Sequence, residues 1–108
     1  MARLAKRYDL YLPLTDNHGQ NFPGRLFKSV EERLVARFGG LTAQQQRFPH
    51  RGIWQSPSQV YLDQVIILTS FDFRPKGSSR FITQLKQSLL REFDQLEILI
   101  TEQSLRVY

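Results

Sequence analysis

Residues 48–54, Phe-Pro-His-Arg-Gly-Ile-Trp, place one of the two histidines of the chain close to its only tryptophan. Asp63 follows in a mostly apolar run at 60–68. A histidine and a carboxylate within hydrogen-bond reach of each other can act together in general acid–base catalysis. The candidate catalytic residues are therefore His50 and Asp63. The candidate ligand-binding residues beside them are Arg51, Trp54 and Tyr61.

The same stretch also fits a purely structural role. Pro49 and Gly52 predict a kink or bulge in a strand, because proline lacks the N–H group that a β-ladder needs. Ile53 and Trp54 are then packing residues of that strand, and the histidine and arginine before them lie at the kink, close to solvent. In this interpretation Asp63 pairs with a nearby arginine, because a carboxylate inside an apolar strand needs a partner.

A second acid–base pair could form between His18 and Asp16, but both lie in Thr-Asp-Asn-His-Gly-Gln, which is typical of a turn. A divalent-metal nuclease could take one carboxylate, Asp9 or Asp16, from each subunit of a dimer. The chain has no cysteine, no His-x-x-His spacing and no carboxylates clustered at ligand spacing. The sequence therefore predicts neither a metal site nor a cofactor.

Residues 73–80, Phe-Arg-Pro-Lys-Gly-Ser-Ser-Arg, combine positive charge with the start of a predicted helix. Free N–H groups at a helix N-terminus attract phosphate and other anions. The order Lys-Gly-Ser-Ser differs from a P-loop, so nucleotide hydrolysis does not follow, and ordinary helix capping explains the same residues. The candidate anion-binding residues are Lys76, Ser78, Ser79 and Arg80.

The balance of charge favours anionic partners. Fifteen Lys and Arg against ten Asp and Glu give the 108-residue chain a net charge of +5, which makes nucleic acid a possible partner. The aromatic pattern of an RNA-recognition motif is missing from the apolar run at 60–68. No stretch approaches the roughly 20 apolar residues of a membrane span. The sequence thus predicts a cytoplasmic protein that does not contact membranes.

Two amphipathic helices must position these residues. They have the same spacing of apolar side chains, and each lies between two β-like runs. This pattern predicts a single domain over 1–108 with an α+β, ferredoxin-like β-α-β-β-α-β fold, in which two helices cover one face of a four-stranded antiparallel sheet. The second and third strands form a long hairpin at 41–71. The predicted helices are 24–40 and 78–94, and the predicted strands are 7–14, 41–48, 60–71 and 96–103.

The third predicted strand contains Val-Ile-Ile-Leu at 65–68, which is apolar on both faces. A strand that is covered by helices on one side only should alternate apolar and polar residues. The run therefore predicts that the second face is also covered. The simplest cover is a second copy of the chain, so a homodimer is expected.

Several landmarks are similar to a family of small uncharacterised bacterial proteins. They are Tyr-Asp-Leu-Tyr-Leu-Pro-Leu-Thr-Asp-Asn-His-Gly at 8–19, Arg-Phe-Gly-Gly-Leu-Thr at 37–42, Gly-Ile-Trp at 52–54 and Asp-Gln-Val-Ile-Ile-Leu at 63–68. The resemblance covers nearly the whole chain and implies a ferredoxin-like fold, but it brings no activity. His18 departs from the family pattern, because it lengthens the turn between Asp-Asn and Gly19.

Three functions are compatible with the sequence. The first is a non-enzymatic binding or interaction module that works as a homodimer, with a protein or an anionic ligand as its partner. The second is an enzyme with a small-ligand pocket, of the dimeric α/β-barrel type, which uses His50, Trp54 and Asp63 between sheet and hairpin. The third is nucleic-acid binding or cleavage through the basic surface.

Overall fold

The computed structural model describes all 108 residues. It contains five strands and two helices. In chain order they are β1 (Arg3–Pro13), α1 (Gly24–Phe38), β2 (Thr42–Ala43), β3 (His50–Gln55), β4 (Val60–Asp72), α2 (Ser78–Glu92) and β5 (Ile100–Val107). Neither helix is long and apolar enough to cross a membrane.

All the strands pair in antiparallel fashion. β4 and β5 flank β1 on either side, and both β2 and β3 pair with the outer edge of β4. If β2 and β3 are taken as one interrupted strand, the order is that of the ferredoxin-like fold, and the predicted α+β class is confirmed.

The core lies between the sheet and the two helices. Every second residue of β1 from Tyr8 onward is buried, and so are Leu14 just beyond it, Leu34 of α1 and Leu89 of α2. Burial of one such leucine contributes about 1.5–3 kcal/mol. The α1 helix ends at Gly39, whose φ of 88° is a left-handed conformation that glycine adopts without strain. The matching apolar faces of the two helices are therefore the two halves of one helical layer.

The β4 strand turns Ile66, Leu68 and Ser70 toward the helices, where all three are buried. Val65 and Ile67 lie on the opposite face, which we call the open face of the sheet. Val65 is buried there within one copy of the chain and Ile67 is half-buried. The apolar run thus has two packed faces at this point without a second copy.

The break in the second predicted strand lies at 44–49, earlier than the predicted kink at 49–52. His50, Arg51 and Gly52 pair regularly with β4, so the prediction of a kink at these residues is wrong. At the break the Gln44 side chain hydrogen-bonds to both sides, because its Oε1 accepts the N–H of Ile67 at 3.2 Å and its Nε2 donates to the Phe48 carbonyl. The side chain thus takes the place of backbone partners that the break removes.

The β3 strand and the first residues of β4 form a two-stranded ribbon that projects from the sheet, and we call residues 50–65 the arm. Ile53 and Leu62 are 59% and 68% exposed, so the prediction that Ile53 is a packing residue of this strand is wrong within one copy of the chain. The radius of gyration is 14.7 Å, against about 13 Å for a compact domain of this length. The arm therefore makes the molecule elongated and leaves apolar side chains in solvent.

Candidate functional site

Three of the residues predicted from sequence share one face of the arm. Trp54 lies opposite Tyr61, and Gly52 lies opposite Asp63. Residues directly opposite in an antiparallel pair, and residues two apart in one strand, point to the same face of the ribbon. The two aromatic rings and the carboxylate therefore lie side by side on the open face.

Gly52 is required by the position of Trp54. A β-carbon added at residue 52 would lie 3.0 Å from Trp54 Nε1 and 3.1 Å from Val65 Cγ2. The indole thus lies back across the glycine, in the arrangement by which aromatic rings cover strand glycines. The spacing Gly-x-Trp has a structural cause, since only a residue without a side chain leaves this space to the ring.

A cavity of about 720 Å³ lies between this face of the arm and the connection from α2 to β5. Its walls are Trp54, Tyr61 and Asp63 of the arm, residues 94–97 and Leu99 of the connection, and Asn17. The amide of Asn17 donates to the Asp94 carbonyl at 3.2 Å and thereby holds the connection in place. The two rings are 45% and 47% exposed, so each presents surface to a ligand.

The walls of the cavity are acidic although the chain carries a net positive charge. Asp63, Asp94 and Glu97 contribute carboxylates, and no lysine, arginine or histidine is among the lining residues. Lys86 Nζ lies 2.6 Å from Glu97 Oε1 and, with the N–H of Ile98, lowers the pKa of Glu97. The side chain of Asp63 has no hydrogen-bond or ion-pair partner. The carboxylates that remain for a ligand are thus Asp63 and Asp94.

His50 and Arg51 do not line this cavity. Arg51 lies opposite Gln64 on the other face of the arm, so it forms no ion pair with Asp63. His50 shares the face of Asp63, but no hydrogen bond or ion pair joins the two residues. Asp63 needs no arginine because the arm leaves it exposed to water. The structure therefore does not assemble the predicted acid–base pair.

One of the four predicted anion-binding residues, Ser78, is hydrogen-bonded to a carboxylate of the chain itself. Ser78 at the start of α2 is fully buried and donates its hydroxyl to Asp72, which also accepts the N–H of Arg74 at 2.9 Å. The hydroxyl of Ser78 is thus not free for a ligand, and the negative charge of Asp72 lies where the anion was expected. The other three candidates, Lys76, Ser79 and Arg80, are exposed.

The acidic residues of the first loop and of β1, Asp16 and Asp9, accept hydrogen bonds from nearby groups of the chain. Asp16 accepts the N–H groups of Gln20 and His18, and these hydrogen bonds lower its pKa in a turn of the predicted kind. Asp9 accepts hydrogen bonds from Arg7 Nε at 3.1 Å and from Thr69 Oγ1 at 2.5 Å. No three histidine or acidic side chains gather into a group that could hold a metal ion.

Sequence reasoning missed half of the cavity. The aromatic residues of the arm indicate one side of the cavity, whereas the sequence predicts only the end of a helix and the start of a strand for the other side, residues 94–99. No motif marks this connection. Its distinguishing local feature, the positive φ of 49° at Asp94 after the last turn of α2, is visible only in the structure.

The sequence matches no protein-family model and none of the curated proteins, so the family resemblance is not confirmed. Solved structures share the fold. A phage SAM lyase in complex with S-methyl-5′-thioadenosine superposes with a TM-score of 0.64 at 12% identity, over 95% of this chain and 88% of that chain. The divalent cation tolerance protein Cut A1 from Thermus thermophilus has a TM-score of 0.60 at 11% identity, over 92% and 82% of the two chains. Likeness at this identity shows the fold alone.

Proposed function

We propose that this protein is a small-molecule-binding module whose site is the cavity between the arm and the α2–β5 connection. The observation that carries the proposal is that Trp54, Tyr61 and Asp63 line one cavity of about 720 Å³. Two adjacent aromatic rings offer stacking surface to a flat ring, and a neighbouring carboxylate fixes its orientation by accepting hydrogen bonds. A nucleoside has both a flat base and hydroxyl donors, so nucleosides are the ligand class that fits these walls.

The thioadenosine bound to the phage enzyme supplies a first probe. Trp54 is the only tryptophan, so its emission reports directly on the cavity. We expect S-methyl-5′-thioadenosine to change that emission with a saturable dependence on concentration. Tyr61→Ala should weaken binding about tenfold, because base–aromatic stacking contributes roughly 1–3 kcal/mol. Tyr108→Ala is the matched control, since Tyr108 is 93% exposed and lines no part of the cavity.

An unchanged emission and an absence of binding heat up to millimolar probe would contradict the proposal for this ligand class. Equal loss of affinity in the Tyr61 and Tyr108 variants would place the binding elsewhere. Catalysis is a separate question, because His50 lies outside the cavity and only Asp63 of the predicted pair lines it.

A second candidate function is self-association through the other face of the arm. Residues 53–62, Ile-Trp-Gln-Ser-Pro-Ser-Gln-Val-Tyr-Leu, contain no charged side chain in a chain of net charge +5. Two copies that each carry a net charge of +5 repel each other overall, and the arm is a segment where they can meet without opposing like charges. Ile53, Leu62 and Val60 are each more than half exposed there. These features favour a second copy of the chain as the partner.

Light scattering on a sizing column tests the association. We expect the wild-type mass to be about twice 12.7 kDa, the mass of a homodimer. The double variant Ile53→Ser/Leu62→Ser should shift the mass toward the monomer. Leu4→Ser is the control, because Leu4 is 76% exposed and lies outside the arm. A wild-type protein that stays monomeric at high concentration would refute this second function.

A further inference from the structure

The cavity offers a cationic ligand an advantage over a neutral one of the same shape. Its lining contains carboxylates and no basic side chain. The aromatic wall has the same preference, because the face of a tryptophan or tyrosine ring attracts a positive charge. The arginines that stack on rings in this protein lie over Phe73, Phe81 and Phe48, so no cation of the chain occupies Trp54 or Tyr61.

We infer that the ligand of the cavity is an organic cation that joins a flat ring to an ammonium or similar positive group. This inference rests on the proposed function and names the charge of its ligand. The flat ring lies against Trp54 and Tyr61, and the positive group lies toward Asp63. A bare metal ion does not match these walls, because the acidic side chains do not form a group that could hold one and the rings supply no ligand atom.

The effect of Asp63 on affinity follows from its surroundings. Its carboxylate has no partner within the chain, so a bound cation competes only with water for it. The residue is exposed, which screens the interaction and limits its contribution to about fivefold in affinity. Glu97 contributes less, since Lys86 already lies 2.6 Å from its carboxylate.

Two nucleosides that differ in one substituent test the charge preference. 5′-Amino-5′-deoxyadenosine carries an ammonium group at neutral pH where adenosine carries a neutral hydroxyl. We expect the amine to bind about tenfold more tightly at low salt, and the difference to shrink as salt is added. Asp63→Asn should remove most of the difference, and it should lower the affinity for adenosine much less than that for the amine, because the asparagine side-chain oxygen still accepts hydrogen bonds.

Two further variants separate the local carboxylates from the overall charge. Glu32→Gln is the charge-matched control, because Glu32 is exposed on α1 and does not line the cavity. Asp94→Gly should also reduce the preference for the amine. This variant should fold as the wild type does, because glycine adopts the positive φ of residue 94 more readily than aspartate does. Melting temperatures of all three variants verify that the differences are in binding.

The possible results are distinct. Tighter binding of the amine that is lost in Asp63→Asn and kept in Glu32→Gln supports the inference. Equal binding of the two nucleosides overturns the inference and leaves the proposed function standing. If neither nucleoside binds, the proposed function fails and the inference fails with it. If Asp63→Asn and Glu32→Gln reduce the preference for the amine equally, the inference is also overturned, because the preference would then come from the overall charge of the protein.

Discussion

Gly52→Ala should displace the indole of Trp54 from the cavity wall without unfolding the protein. The new β-carbon would lie 3.0 Å from Trp54 Nε1 and 3.1 Å from Val65 Cγ2, where ordinary contacts begin at 3.4 Å. Both contacts are too short, so the indole and the Val65 methyl group must each move by a few tenths of an ångström. Val65 is only 8% exposed and has little room to move, whereas Trp54 is 45% exposed and can turn outward. The indole therefore moves further than Val65 does, and its stacking surface in the site is displaced.

The change in the free energy of unfolding is the sum of two opposing effects. Alanine in a strand is more favourable than glycine by about 0.5–1 kcal/mol, and the lost contacts of the half-exposed ring offset a similar amount. We expect the free energy of unfolding to change by less than about 1 kcal/mol. The affinity for S-methyl-5′-thioadenosine should fall about tenfold, which corresponds to about 1.4 kcal/mol.

Tryptophan emission, urea unfolding and ligand titration together check this prediction. The emission maximum of Gly52→Ala should move to longer wavelength, because the only tryptophan becomes more exposed to water. Gly40→Ala is the matched control, since nothing lies within 4 Å of a β-carbon there. Wild-type emission and wild-type affinity in Gly52→Ala would refute the reasoning. A loss of several kcal/mol in stability would show instead that the arm is part of the core.

Three further predictions concern the fold, and urea unfolding measures each of them. Leu89→Ala should cost about 2–5 kcal/mol, because Leu89 is fully buried in the core; a cost under about 1 kcal/mol would contradict this packing. Ser78→Ala should cost about 1–3 kcal/mol, since it leaves the buried Asp72 carboxylate with one donor fewer; wild-type stability would show that the hydroxyl is dispensable. Lys86 holds the pKa of Glu97 below its ordinary value of 4.5, so the stabilisation is complete above pH 4.5 and is lost as the pH falls further. Glu97→Gln should flatten this part of the profile, and an unchanged slope would refute the assignment.

The helices and the strand order could be predicted because their causes are local. An apolar face repeated every three to four residues requires a helix over a sheet, and Gly39 marks where the first helix ends. The order of strands then follows from two linked β-α-β halves. The position of the break in the second strand could not be predicted, because the side-chain hydrogen bonds of Gln44 there, to Phe48 within the break and to Ile67 of β4, follow no sequence rule.

The environment of Asp63 could not be predicted for a related reason. Its neighbours in sequence are apolar, and an apolar neighbourhood normally means burial. Here the strand continues beyond the helices, so the same residues stand in solvent as one edge of a ribbon. The length of a strand relative to the layer that covers it is a property of the whole fold. For the same reason the connection at 94–97, distant in sequence, completes the cavity without any motif of its own.

The alternation of side chains along the arm separates its two proposed roles. Trp54 and Tyr61 point to the face that lines the cavity, whereas Ile53 and Leu62 point to the opposite face. A ribbon with both faces exposed can therefore bind a small molecule on one side and a second copy on the other. If substitutions on the two faces act independently, each copy carries a complete site. If Ile53→Ser/Leu62→Ser also weakens ligand binding, assembly must hold the aromatic wall in place, since those two side chains lie outside the cavity.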